Sequence, residues 1–138
     1  MSGPGLHHVD SHAAIHEAAI HEAEELNDIL AKLLREKELE KALEVAYITV
    51  EHWESRTLRH ADAEERGLYN ELVKEKPALK PMVIGLTRDH TILRLLVKEI
   101  TTLLDNDGMS EAVLQRFQAL VLVDIIHNEE EERILAHY

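Results

Sequence analysis

Four histidines and two glutamates in this chain are spaced as metal ligands are. His60 and Glu64 stand four residues apart, and so do His127 and Glu131. On a helix that spacing sets both side chains on one face, one turn apart. A single histidine stands in the helical stretch before each pair, His16 before the first and His90 before the second. Imidazole suits iron, zinc and copper, and carboxylates add hard oxygen donors, so six such groups meeting at one level form a ligand set for a dinuclear iron site. The alternative is a hydrogen-bonded polar layer without an ion, which is the better reading for one isolated pair. For six groups it is the poorer one, because burying them without a cation costs several kcal/mol per ionised group.

To meet, the six must sit on helices in register. Gly is 5 and Pro is 3 of 138 residues, while Ala, Leu, Glu, Lys and Arg dominate, a profile that favours helix throughout. Residues 1–9 hold two of the five glycines and one of the three prolines and are expected to form an N-terminal arm. Residues 10–138 form the domain. Helix A is expected from a cap at Asp10 or Ser11 to about residue 36, with Ile15, Ala19, Ala23, Leu26, Leu30 and Leu33 on its apolar face. The charged run Arg35 to Glu38 contains neither Gly nor Pro, so the A/B turn is placed near residue 38 from geometry. Helix B turns Leu43, Ala46, Val50, Trp53 and Ala61 inward and stops before Pro77. Helix C runs from about Met82 to Leu104, Asp105 to Gly108 ends it, and Ser110 opens helix D.

Four helices with short connections make an all-α fold, an up-down-up-down four-helix bundle. In antiparallel neighbours, two residues at one level lie equally far from the turn between them. The midpoint of His60 and His90 is residue 75, and that of His90 and His127 falls between 108 and 109, both at turns marked independently by Pro or Gly. At about 1.5 Å per residue the site lies roughly 33 Å from the A/B turn and roughly 22 Å from the B/C turn. It sits towards the end carrying both termini, and residues 77–85 are the segment expected to cover its entrance.

Helical phase separates the histidines. At about 100° per residue, His60, Glu64, His127 and Glu131 fall on or beside apolar stripes, whereas His21 and His52 point away and are expected to be solvated. His16 has the same angular offset from its stripe as His90 and is the preferred helix A ligand. His12, assigned to the first turn, is the runner-up or an outer partner. Of Glu129 to Glu132 only Glu131 points inward, and Asp124, one turn before His127, is placed to orient its imidazole. Trp53 and Phe117 are expected in the core, and Tyr47 is too far along helix B to reach the site.

The formal charge is −12, from 15 Lys and Arg against 27 Asp and Glu. That balance argues against partners with phosphate backbones or anionic lipid surfaces. The absence of Cys removes disulfides and thiolate ligands and leaves only nitrogen and oxygen donors for a metal. No apolar run approaches the ~20 residues of a membrane span, and the N-terminal residues lack a signal-like pattern. A cytoplasmic location is expected.

The pattern of His16, His60, Glu64, His90, His127 and Glu131, over about residues 10–138, resembles the hemerythrin-like HHE cation-binding family. The resemblance implies a bundle holding two iron ions in a non-heme centre, with both glutamates bridging, the histidines terminal, and an oxo or hydroxo bridge. It further implies a small diatomic or peroxide partner: oxygen, nitric oxide or peroxide in stress response, sensing or iron-centre repair. Iron storage or delivery without turnover, and a metal-free helical interaction domain, are the alternative classes, and a homo-oligomer is compatible with all of them. The oxygen-carrying hemerythrins have another histidine where this chain has Arg94, and an aspartate where it has Glu132. A guanidinium has no lone pair to offer a metal, so the count here is four histidines against five in the carriers. A reduced centre with four is expected to be oxidised by air or peroxide rather than to carry oxygen.

Overall fold

In the computed structural model the backbone is described for residues 4–137 and the side chains for residues 12–137; every element is helical, with no strand among the described residues. Helix α1 spans Pro4–Arg35. Residues 4–9, expected in the arm, are therefore its opening turns, and residues 1–3 lie outside the described part. Proline is at home at a helix start, where its fixed φ is already helical and its missing N–H has no partner to lose.

Helix α1 ends without a glycine. Lys37 takes a left-handed φ of 57°, Glu38 N bonds to Leu33 O at 2.9 Å, and Lys37 N bonds to Leu34 O at 3.1 Å. This is the Schellman closure, with lysine in the position glycine usually fills. The turn thus falls where the histidine midpoint puts it.

The expected helix B is assembled from pieces: α2 (Leu39–His52), a π-helical segment (Trp53–Leu58), α3 (Arg59–Arg66) and α4 (Leu68–Glu75). The bend between α3 and α4 lies at Gly67, where a Cβ would come within 3.3 Å of the Ala63 carbonyl oxygen. A short 3₁₀ turn, Pro77–Leu79, leads into α5 (Lys80–Asp107). Gly108, at φ 76°, ends α5, and the Ser110 side chain accepts from Val113 N to cap α6 (Glu111–Ala136). Helix α5 is longer than expected by a few residues at both ends.

Helix α1 packs against α2 and α6, and α5 packs against α6 and α2, so the long elements form an all-α bundle. Two hydrophobic clusters fill it. The larger includes Leu30, Trp53, Leu93, Ile100, Phe117 and Leu120; the smaller holds Tyr69, Leu72, Val83, Leu86, Ile134 and Leu135. Each large apolar side chain fully buried there contributes about 1.5–3 kcal/mol. Along α5, His90 stands between Leu86 of the smaller cluster and Leu93 of the larger, and along α6, His127 and Glu131 stand between Val121 and Ile134. The polar layer thus divides the core. Among the described residues no helix is long and apolar enough to cross a membrane.

Candidate metal centre

Helices α1, α3, α5 and α6 bring all six sequence-selected residues into that layer. His16, Glu64, His90, His127 and Glu131 are buried, and His60 is half-buried. Glu64, His90, His127 and Glu131 offer ligand atoms within 4.8 Å of one another, and His12, His60 and Glu64 form a second such set. Glu64 belongs to both. Its Oε1 lies 3.4 Å from His90 Nε2, while its Oε2 lies 3.2 Å from His12 Nε2 and 3.6 Å from His60 Nε2. Glu131 repeats the arrangement: Oε2 is 3.3 Å from His127 Nε2, and Oε1 is 3.8 Å from both His12 Nε2 and His16 Nε2. Each carboxylate therefore presents one oxygen to each group of imidazoles.

His12 joins the ligand cluster and does not replace His16. Because α1 begins at Pro4, His12 sits about two turns inside the helix and His16 one turn further on. The rings of His12, His16 and His60 form a triangle with centroids 5.1–5.5 Å apart. On the other side, His90 Nε2 and His127 Nε2 approach to 3.1 Å. Five imidazoles thus surround the two carboxylates, divided three and two.

The outer nitrogens of the second group are held by carboxylates. His90 Nδ1 pairs with Glu65 Oε2 at 2.8 Å, and His127 Nδ1 pairs with Asp89 Oδ2 at 2.9 Å. A carboxylate accepts only, so each imidazole keeps a proton on its outer Nδ1 and turns Nε2 inward. Asp124 does not orient His127 as expected, because with Nε2 turned inward the ring's Nδ1 faces α5, where Asp89 stands. Arg94 donates to Glu65 at 2.6 Å and to Asp62 at 2.7 Å. It braces the carboxylate that orients His90.

Tyr69 is a group that sequence reasoning missed. Its ring stacks on His90, with centroids 5.5 Å apart and planes 9° apart. Its hydroxyl donates to Glu131 Oε2 at 2.5 Å and lies 3.4 Å from His90 Nε2 and 3.5 Å from His127 Nε2. His52 is a second correction: instead of facing solvent it lies against α1, with Nε2 3.1 Å from Ala19 O and Nδ1 3.5 Å from Glu22. The chain changes to π winding at the next residue. Tyr47 is remote from the site, bonded to Asp105.

Several buried polar atoms of the layer have no hydrogen-bond partner: His16 Nδ1, His60 Nε2 and Glu131 Oε1. Leaving such groups unpaired costs about 1–3 kcal/mol each, so the layer is incomplete as a hydrogen-bonded network. Its electrostatics are divided as well. Burial, reinforced by the neighbouring His60 and His12, lowers the His16 pKa to about 4. Burial also opposes charge on His127, but its bonds to Glu131 and Asp89 prevail and raise it to about 9. Burial disfavours the Glu64 carboxylate, yet hydrogen bonds from His12 and His90 hold it well below the usual carboxylate range. Asp124 is pushed up to about 7 by burial. Tyr69 is raised far above the usual phenol range by burial and by the charges of Glu131 and Glu64.

A cavity of about 330 Å³ reaches the cluster from the side. Its walls include His16 and Ala19 of α1, Ser55 to Thr57 of the π-helical segment, His60 of α3, and Asp124, His127 and Asn128 of α6; residues 77–85 contribute none of its lining. The entrance therefore lies beside the π segment and not under the Pro-containing linker.

Comparison with known protein families, with curated proteins and with solved structures found no match.

Proposed function

We propose that the chain is a hemerythrin-like, up-down-up-down bundle holding a dinuclear non-heme iron centre that binds or reacts with oxygen, nitric oxide or peroxide. The observation that carries this reading is the pair of shared carboxylates, Glu64 and Glu131, each with one oxygen towards either imidazole group. A single ion would not use both faces of both. The unpartnered His60 Nε2 and Glu131 Oε1 support it, because a cation satisfies at once what the protein leaves open. All donors are nitrogen or oxygen, which suits iron with imidazole and carboxylate ligands.

His12, His16 and His60 would hold one ion, and His90 and His127 the other. Bound iron supplies an exchangeable position and electrons to the small molecule. The chain's own work is to fix the imidazoles through Glu65 and Asp89 and to admit the molecule along the lateral cavity; Glu64 and Glu131 would bridge the two ions. With five histidines, the argument from four against reversible oxygen binding loses its premise. Iron analysis after anaerobic reconstitution tests the reading: about two irons per chain are expected from the doubled ligand set, and a metal content no higher than that of a Glu64→Ala/Glu131→Ala variant overturns it.

A further inference from the structure

Resting on that reading, we infer that Tyr69 is itself a metal ligand, bound through its phenolate oxygen to the ion held by His90, His127 and Glu131. Metal–nitrogen and metal–oxygen bonds of about 2.0–2.2 Å set adjacent donors of one ion roughly 3 Å apart or slightly more. The donors here fit that spacing: His90 Nε2 to His127 Nε2 is 3.1 Å, His127 Nε2 to Glu131 Oε2 is 3.3 Å, and His90 Nε2 to Glu64 Oε1 is 3.4 Å. The Tyr69 oxygen, 3.4 Å from His90 Nε2 and 3.5 Å from His127 Nε2, lies beside the same set; its 2.5 Å hydrogen bond to Glu131 Oε2 is closer than two donors of one ion stand, so the two oxygens must part as the phenolic proton between them is lost.

The phenol is held there. Its ring is 2% exposed, it lies flat on His90, and the bend at Gly67, two residues earlier, turns α4 into the site. This group has two imidazoles where the other has three, so a phenolate supplies the missing donor and, as a hard anion, favours ferric iron. In the metal-free chain burial and the charges of Glu131 and Glu64 keep the phenol protonated; a bound cation opposes that influence. The iron–oxygen bond forms as the O–H bond breaks, and the proton is released to solvent, as when any ligand is deprotonated on metal binding.

Ferric-loaded protein is expected to show a phenolate-to-iron charge-transfer band in the visible and resonance-enhanced phenolate vibrations. Tyr69→Phe should abolish both while retaining most of the iron. The double variant Tyr47→Phe/Tyr138→Phe, in which Tyr69 is the only tyrosine left of three, should keep both, and it decides the matter even if Tyr69→Phe fails to fold. Iron-replete wild type without the band, or a band lost in the double variant, overturns the assignment while leaving the iron centre standing. A chain that takes up no iron overturns both.

Discussion

The two imidazole groups that share Glu64 and Glu131 are built differently. His90 and His127, from α5 and α6, are each 2% exposed and have a carboxylate on the outer nitrogen. His12, His16 and His60, from α1 and α3, are more open: the His60 side chain is 27% exposed, His16 and His60 line the cavity, and His16 Nδ1 has no hydrogen-bond partner. One side is pre-organised by the fold, and the other depends on what it binds. On the proposed reading the α5/α6 side anchors the centre, while the small molecule arrives at the α1/α3 side.

The largest effect should come from breaking what both sides share. Glu64→Ala or Glu131→Ala should remove most of the iron from both positions, measured as metal per chain after reconstitution. Retention of one full equivalent by either variant would mean that the carboxylates do not bridge. Single-side variants come next. His127→Ala removes one of two imidazoles and should cost about half the iron, whereas His16→Ala removes one of three and should cost less; equal losses would erase the distinction between the sides.

How legible this was in the sequence depends on whether a feature is local. The all-helical fold followed from composition and periodicity, and the stops at Gly108 and Ser110 from residues whose backbone preferences mark them. The A/B turn was located only through the histidine spacing, because Lys37 performs a closure that composition assigns to glycine. The π segment left no local sign, since packing sets its winding, and His52, in the regular turn before it, points away from the central stripe but meets the flank of α1. His12 was ranked second on the assumption that the helix starts at residue 10, and its place changed once α1 began at Pro4. Tyr69, Glu65 and Asp89 act across helix interfaces, at places that one-stripe reasoning does not reach.

The buttressing carboxylates offer the next test of the asymmetry. Asp89→Asn and Glu65→Gln leave every inner donor in place but weaken the hold on His127 and His90, and should lower metal affinity about 10–100-fold. Arg94→Gln acts one step further out, through Glu65, and should cost only several-fold. Metal titration of the three variants checks the order. An Arg94 variant as impaired as Glu65→Gln would mean that the guanidinium does more than brace its neighbour.

The smallest expected effects appear in the metal-free protein, where the two sides respond oppositely to pH. The His16 pKa is depressed to about 4. Between the unfolded value of 6.5 and 4, the unfolded chain holds a proton that the folded chain does not, so this group's contribution is complete above pH 6.5 and is lost on acidification towards 4. The His127 pKa is raised to about 9. Its contribution is complete below 6.5 and is lost as the pH rises through 9. Melting temperatures taken in chelator across pH 4 to 10 should therefore fall on both flanks, by a few degrees for each kcal/mol lost. His16→Gln should flatten the acid flank selectively, and His127→Gln the alkaline one. Asp89→Asn should move the alkaline flank to lower pH, because it removes one of the two carboxylates that keep His127 protonated. If His127→Gln leaves the alkaline flank unchanged, the carboxylates around that imidazole do not set its charge, and the electrostatic half of the comparison fails.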